Sequence, residues 1–402
     1  MTKTLICLLS EQHVPNLLSV HHLKPDHLIL IESSGMQKRH SAENFRESLK
    51  IGNFDVKCEI VAIDGNESDF RTCQATFVNV LQKSPRDTEW VINLTGGLKP
   101  MAIAAYETFT SVARRRFIYT DHQTPNIIDD FLTGEKESCR YVLSIEEFLS
   151  GYGFKYSKKI QDIDAAQAWA KKHRKAAIIM AKHAMDIRCW GKNALISERE
   201  RVKEFMKLKT GKTVDLEPDD LAPTNEDVRK ILCTEFDLEE QDGSLMGKID
   251  KYTAKFIDGG WLENFIWLIL SDHKEELDLS EVRLGIQIRG KKENTSENEL
   301  DVSLMRNYAF EFIECKSGSQ EHDKGGEIFY RIEAVRNSPG ALRSKAYFVS
   351  NSHTFSQDGL DLKSDALKLR AKTYNCTPIL SKAIEDMAKN PNAETIKQVF
   401  GW

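Results

Sequence analysis

Short, unbroken apolar runs alternate with amphipathic stretches along the N-terminal third of the chain. Runs of this length are expected for strands that are buried on both faces of a parallel sheet. The apolar runs cover 5–9 and 27–31, and 56–63, 89–94 and 116–120 predict three further strands. The stretches between them predict helices, one ending near Leu23 and two more at 70–81 and 101–113. This alternation predicts a βαβ architecture, so we expect an α/β domain with a mostly parallel sheet at 1–152.

The next segment, 153–250, has a helical pattern and an uneven charge distribution. Residues 155–212 carry 16 Lys and Arg against 6 Asp and Glu, whereas residues 213–250 carry 3 against 12. Two solvated helical faces that neutralise each other would explain this pattern. A basic face that contacts nucleic-acid phosphates is the alternative. We expect a helical connector here, with room for a winged-helix-like module.

A C-terminal α/β domain is expected at 251–402. The apolar run 261–270 predicts a helix, and apolar residues at 282, 284, 286 and 288 alternate as in a half-buried strand. After a polar turn at 291–298, two further strands complete an antiparallel meander. These strands are expected at 299–305 and 308–316, and they are followed by a helix at 327–336 and a strand at 346–350.

The composition is that of a soluble globular protein. Of the 402 residues, 41% are hydrophobic and 29% are charged, and no apolar run reaches the length of about 18 residues that a membrane helix needs. Eight cysteines are scattered along the chain without a C-x-x-C spacing. This argues against a disulfide scaffold or a zinc ribbon and favours the reducing cytoplasm. The net charge of −5 gives no overall basic surface, so a nucleic-acid partner must use a local patch.

Candidate catalytic chemistry lies on the last two strands of the meander. Because side chains alternate along a strand, Glu314 and Lys316 share one face at the end of 308–316. A short turn would bring Asp301 of the preceding strand beside them. Two carboxylates suit Mg²⁺ or Mn²⁺, and a lysine beside a metal can orient water and stabilise developing charge. Glu299 is an alternative carboxylate, and a surface ion pair between Glu314 and Lys316 is the structural alternative.

Two loops at the expected carboxyl edge of the N-terminal sheet are candidates for ligand binding. One follows the first strand and contains Ser10 and Gln12. The other has the sequence Asn93-Leu94-Thr95-Gly96-Gly97-Leu98-Lys99 and opens a helix. Glycines let backbone amides approach a ligand, and a helix N-terminus favours anions. The spacing is neither that of a Walker A loop nor G-x-G-x-x-G, and a tight strand-to-helix turn is the alternative.

The spacing Asp301-x₁₂-Glu314-x-Lys316 resembles the PD-(D/E)xK core of restriction-type endonucleases, although Leu300 stands where that motif has proline. By the same resemblance, Glu263 corresponds to the additional acidic residue that many of these nucleases carry on their first helix. The N-terminal domain, with its two loops, resembles the CRISPR-associated Rossmann-fold (CARF) sensor domain. The whole chain resembles the CARF nucleases of type III CRISPR systems.

This resemblance implies a homodimeric sensor that binds a cyclic oligoadenylate, most commonly cyclic tetra-adenylate, across its two-fold axis. Binding would activate metal-dependent cleavage of RNA, single-stranded DNA or duplex DNA by a restriction-endonuclease-like domain. The implied catalytic residues are Glu263, Asp301, Glu314 and Lys316, with Asp301 and Glu314 as the ligands of Mg²⁺ or Mn²⁺. The implied ligand-binding residues are Ser10, Gln12, Thr95, Gly96, Gly97 and Lys99.

Two other functions are compatible with the sequence. One is a nuclease of another repair or restriction system, with a sensor for a different nucleotide. The other is a nucleotide-responsive regulator without enzymatic activity, which binds nucleic acid through the basic connector. A regulator has no need of Asp301, so metal-dependent cleavage separates it from the nucleases, and the choice of activator separates the two nucleases.

Overall fold

The computed structural model describes residues 2–121, 124–187, 211–217, 220–290, 297–317, 329 and 345–402. A seven-stranded sheet forms the N-terminal part. Its strands are β1 (Lys3–Leu8), β2 (His27–Glu32), β3 (Lys57–Ala62), β4 (Glu89–Asn93), β5 (Arg115–Thr120), β6 (Ile127–Asp130) and β7 (Lys136–Ser138). The accompanying helices are α1 (Val14–Leu23), α2 (Ser34–Lys38), α3 (Ser41–Ile51), α4 (Phe70–Lys83), α5 (Lys99–Thr110) and α6 (Ile145–Gly151).

The order of this sheet is β3-β2-β1-β4-β5-β6-β7. The five predicted strands are confirmed and pair in parallel. From Leu5 to Leu8, strand β1 is apolar without interruption because both of its faces are covered: Leu5 and Cys7 pack into one core, Ile6 and Leu8 into another. The antiparallel strands β6 and β7 were not predicted, since they are short and mostly polar.

A six-stranded sheet with the order β17-β16-β15-β14-β13-β8 forms the C-terminal part. Its strands are β8 (Phe154–Tyr156), β13 (Leu279–Gly290), β14 (Asn298–Arg306), β15 (Ala309–Lys316), β16 (Lys345–Ser350) and β17 (Cys376–Leu380). The predicted antiparallel meander is β13-β14-β15, and β16 and β17 add in parallel. The mixed α/β class is therefore confirmed. All but one residue of the predicted helix at 327–336 and most of the turn at 291–298 lie outside the described residues.

Helices and short β-strands make up the segment that connects the two sheets, and further helices form the C-terminal end of the chain. They are α7 (Ile160–Lys172), α8 (Arg174–Lys182), β9 (Thr213–Asp215), α9 (Glu226–Phe236), β10 (Glu239–Gln241), β11 (Ser244–Met246), β12 (Lys248–Asp250), α10 (Lys251–Lys255), a π-helical turn at Phe256–Gly260, α11 (Trp261–Asp272), α12 (Asp365–Thr373), α13 (Ser381–Lys389) and α14 (Ala393–Phe400). Ala177 and Met180 of α8 are buried in one core with Trp261 and Phe265 of α11. The middle segment is thus packed onto the second sheet, and its first strand, β8, pairs with β13.

Two general features follow from the described part of the chain. None of its helices has both the length and the apolar character that a membrane crossing requires. Seven cysteines lie within the described ranges, and all of them are free thiols.

Candidate active site and ligand loops

The register of β14 and β15 brings Asp301 and Glu314 together. Val302 pairs with Ile313 in this antiparallel ladder, so the residue before Val302 and the residue after Ile313 face each other across the strands. The backbone N–H of Cys315 donates to Asp301 Oδ2 at 2.7 Å. This hydrogen bond fixes the orientation of the Asp301 carboxylate at the end of the ladder, where the two strands separate.

Lys316 lies between the two carboxylates. Its Nζ is 2.7 Å from Glu314 Oε1 and 3.9 Å from Asp301 Oδ2, and it donates to the carbonyl of Cys315 at 3.1 Å. Asp301 and Glu314 are buried, and Lys316 is half-buried. The structure therefore brings together three of the four residues predicted to be catalytic, and the ammonium lies within reach of any group that both carboxylates contact.

Glu263 reaches the same cluster from the first turn of α11. Its carboxylate is 3.8 Å from Lys255 Nζ, and burial raises the pKa of Glu263 above its ordinary value. The negative charge of Glu263 in turn raises the pKa of Lys255. Glu299, the alternative carboxylate, lies 4.0 Å from the same lysine and is about half exposed. Asp301 is the carboxylate that faces Glu314, as the alternation predicted.

The donor set fits a divalent cation. Burial raises the pKa of Asp301 well above its ordinary value, and the nearby charges of Glu263 and Glu314 raise it further. A bound cation would relieve this repulsion. Among the described residues, no three His, Cys, Asp or Glu side chains form a ready metal-ligand group. Asp301 and Glu314 would therefore supply the protein carboxylates, and backbone carbonyls and waters would complete the shell.

Two lysines beside this cluster were not identified from the sequence. Lys255 precedes Glu263 by eight residues, and the π-helical turn between them, with Gly259 at φ 144°, changes the helical register in a way that periodicity does not reveal. Lys158 follows β8 and donates to the carbonyl of Gly285 at 2.9 Å. Burial lowers the pKa of Lys158, and the positive charge of Lys255 lowers it further. The contact of Lys158 has no local signal either, because it depends on packing between distant segments.

The two candidate ligand loops meet at the centre of the N-terminal sheet. Strand β1 lies between β2 and β4. After β1 the chain adds β2 and β3 on one side of it, and then adds β4 and β5 on the other side. This is the topological switch point, where open α/β sheets bind ligands beyond the carboxyl ends of their strands. Ser10 and Gln12 follow β1, and their loop is held by 3.3 Å hydrogen bonds between the Ser10 hydroxyl and the backbone of Gln12.

A buried polar network supports the second loop. The Asn93 side chain donates to Asn16 Oδ1 at 2.9 Å and to Ser19 Oγ at 3.1 Å, which ties the end of β4 to helix α1. The Thr95 hydroxyl donates to Asn93 Oδ1 at 2.6 Å and accepts from the backbone N–H of Thr120 at 2.9 Å. The hydroxyl of Thr95 thus has a structural role in the turn.

Gly96 and Gly97 pack against the end of β1. A Cβ at Gly96 would lie 1.9 Å from the carbonyl oxygen of Leu8, and Gly97 has φ +73°. Both positions require glycine for the turn itself. Lys99 is the first residue of α5 and is exposed, so its ammonium is free to meet an anion at the helix start.

Helix α6 connects the N-terminal sheet to the strands of the second sheet near Asp301 and Glu314. Glu147 Oε2 accepts from the Tyr141 hydroxyl at 2.7 Å, and Glu147 Oε1 lies 2.8 Å from His21 Nε2 of α1. On the other side, the Phe148 ring stacks on Phe310 of β15 with centroids 5.8 Å apart. The N–H of Ile145 donates to the carboxylate of Glu281 on β13. A displacement of α1 therefore has a direct packing route to the strand that carries Glu314.

Two family models match the chain. The model of the Card1 CARF domain matches residues 4–148, and the model of the Card1-like endonuclease domain matches residues 250–389. No curated protein matches the sequence.

Three solved structures share the fold. Protein VC1899 from Vibrio cholerae is 15% identical, with 96% of each chain covered and a TM-score of 0.76. Can2 from Sulfobacillus thermosulfidooxidans, in complex with cyclic tetra-adenylate, is 21% identical, with 97% of this chain and all of that chain covered and a TM-score of 0.64. A type III CRISPR defence DNA nuclease activated by cyclic oligoadenylate is 16% identical, with 87% of this chain and 45% of that chain covered and a TM-score of 0.51.

Proposed function

Since this chain belongs to the Card1-like family of CARF-domain endonucleases, we propose that it is a metal-dependent nuclease of type III CRISPR defence that a cyclic oligoadenylate activates. One observation carries the catalytic part of the proposal. The buried carboxylates of Asp301 and Glu314 face each other at a strand end, with the Lys316 ammonium between them. We assign the sensor to 1–152, the connector to 153–250 and the nuclease to 251–402, in a cytoplasmic protein.

In this proposal, Asp301 and Glu314 hold Mg²⁺ or Mn²⁺, and Glu263 supports the site directly or through water. The metal, when bound, supplies Lewis-acid activation of the scissile phosphate and of the attacking water. Lys316 places its positive charge 2.7 Å from Glu314, where it orients the water and stabilises the charge that develops on the phosphate. The hydrogen bond from the Cys315 N–H keeps Asp301 aimed at the same point.

The sensor proposal rests on the two loops at the switch point. A cyclic tetra-adenylate is two-fold symmetric, and a homodimer presents each glycine-rich helix start twice. Ser10, Gln12 and Lys99 supply polar side chains for contacts with the activator, Gly96 and Gly97 let the loop backbone come close, and Thr95 holds the turn. The activator must prefer the active arrangement over the resting one, and α6 offers the contact through which that preference reaches the nuclease strands.

The test is cleavage of labelled single-stranded RNA, single-stranded DNA and supercoiled plasmid in Mn²⁺, with and without cyclic tetra-adenylate. Glu314→Ala is the matched inactive variant. Cleavage that needs the activator and is lost in the variant supports the proposal and names the substrate. Cleavage without the activator supports a nuclease with a different sensor ligand. Tight oligoadenylate binding without cleavage under any condition favours the non-enzymatic regulator.

A further inference from the structure

A cavity of about 520 Å³ lies between the connector and the nuclease sheet. Its volume falls within the range of about 300–1,000 Å³ that is usual for small-molecule sites. One wall is a single face of α7, and the opposite wall is the helical segment from α10 into α11. The wall residues of α7 are Asp162, Ala165, Ala166 and Trp169, and those of the opposite segment are Tyr252, Lys255, Phe256, Gly260, Glu263 and Asn264. Along α7, the i, i+3, i+4 spacing explains why these side chains share one face.

The size and chemistry of the cavity come from small residues beside aromatic ones. Ala165 and Ala166 leave room on one wall, and Gly285 of β13 leaves room on the floor. Trp169 is held in place by Phe256, with ring centroids 5.4 Å apart. Tyr252 is 48% exposed at the rim. The cavity therefore offers flat aromatic surfaces, one rigid and one at the entrance.

Cationic groups lie at the end of the cavity nearest the catalytic cluster. Lys158 and Lys255 line it, and Lys255 is 3.8 Å from the carboxylate of Glu263. Glu263 and Lys255 thus belong both to the cavity wall and to the surroundings of Asp301 and Glu314. A molecule bound in this cavity would therefore directly adjoin a group that contacts Asp301 and Glu314.

We propose that this cavity binds the base of a nucleotide next to the scissile phosphate, stacked on Trp169 and Tyr252, while Lys158 and Lys255 contact the phosphates on either side. This inference rests on the proposed nuclease function. Bases stack on aromatic side chains irrespective of their identity, and lysines follow the phosphate backbone. The bound base must leave its stack in the strand, as in other enzymes that read an extruded nucleotide.

Cleavage of single-stranded DNA oligonucleotides with one abasic site, moved position by position along the strand, tests the proposal. The full-length protein is assayed with Mn²⁺ and cyclic tetra-adenylate. We expect one abasic position beside the scissile bond to lower kcat/KM by roughly 10- to 100-fold. Tyr252→Ala should weaken this position dependence, and Ala166→Leu should remove it by filling the cavity. Ala168→Leu, on the same helix but outside the cavity and exposed, should behave as the wild type.

Equal rates at every abasic position, or equal behaviour of Ala166→Leu and Ala168→Leu, would overturn the proposal. If the protein cleaves none of these oligonucleotides, a binding measurement tests the base site in the cavity separately from the nuclease activity. A 2-aminopurine in the same oligonucleotide should be quenched by the Ala168→Leu variant and not by Ala166→Leu. That result would retain the cavity as a base site, whereas identical quenching would reject the cavity. The nuclease itself is rejected only if single-stranded RNA and supercoiled plasmid are also left uncleaved.

Discussion

Protonation of His13 is expected to destabilise the sensor domain in mildly acidic solution. His13 follows the Ser10 loop and is 4% exposed. Its ring meets the edge of Tyr152 with centroids 5.0 Å apart, and its Nδ1 has no hydrogen-bond partner among the described residues. Burial lowers the pKa of His13 from 6.5 to about 4. The folded protein therefore keeps this imidazole neutral at pH values where the unfolded chain binds a proton.

The sign and size of the effect follow from this pKa difference. Because the folded pKa is depressed, the stability is fully present above pH 6.5 and is lost as the pH falls from 6.5 towards 4. Each pKa unit is equivalent to about 1.4 kcal/mol, so the folded domain loses about 3 kcal/mol by pH 4. For a domain of this size, that loss lowers Tm by roughly 6–12 °C.

The assay is thermal unfolding of the full chain across this pH range, beside His13→Phe, which keeps an aromatic ring at the site. The sensor transition is recognised as the one that cyclic tetra-adenylate shifts upwards. We expect the Tm of the variant to fall less steeply with acidification, because other histidines contribute equally to both proteins. Activator affinity of the wild type should fall in the same pH window. Equal slopes for the two proteins would refute the assignment.

Three further predictions concern the candidate sites. Asp301→Asn should lower cleavage at least ~100-fold without lowering Tm, because it removes a buried charge; a parallel loss of Tm would indicate a structural role instead. Lys99→Ala should raise the activator concentration needed for half-maximal cleavage and leave the rate at saturation unchanged, and full activity at limiting activator would reject this contact. Gly96→Ala should lower the free energy of unfolding by about 1–3 kcal/mol in urea titrations and weaken activator binding, since its Cβ would collide with the Leu8 carbonyl; an unchanged midpoint would show that the loop adapts.

The proximity of Asp301, Glu314 and Lys316 could be predicted because these residues lie on two strands that follow each other directly in the sequence. Two-residue alternation places Glu314 and Lys316 on one face, and the tight turn before β15 brings Asp301 opposite. The apolar runs of β1 and β2 identified the parallel sheet for a similar reason, since both faces of each strand are covered.

The contacts that remained unpredicted depend on segments far apart in the chain. Lys158 reaches the site because β8 pairs with β13, more than 120 residues later, and no motif announces that pairing. The resemblance to CARF domains implied that Thr95 binds ligand, a role that remains a prediction. The structure shows the Thr95 hydroxyl hydrogen-bonded to Asn93 and Thr120. Sequence spacing alone cannot distinguish such a structural hydroxyl from one that is available to a ligand.

Strand β8 has a consequence for where this protein can be divided. It forms the outer edge of the six-stranded sheet, although it lies directly after α6 in the chain. A fragment that begins at residue 251 would lack this strand and leave the far end of β13 with unpaired backbone groups. Such an open edge is a template for pairing with other chains. A nuclease fragment cut there would therefore tend to self-associate, and a soluble fragment has to begin before Phe154.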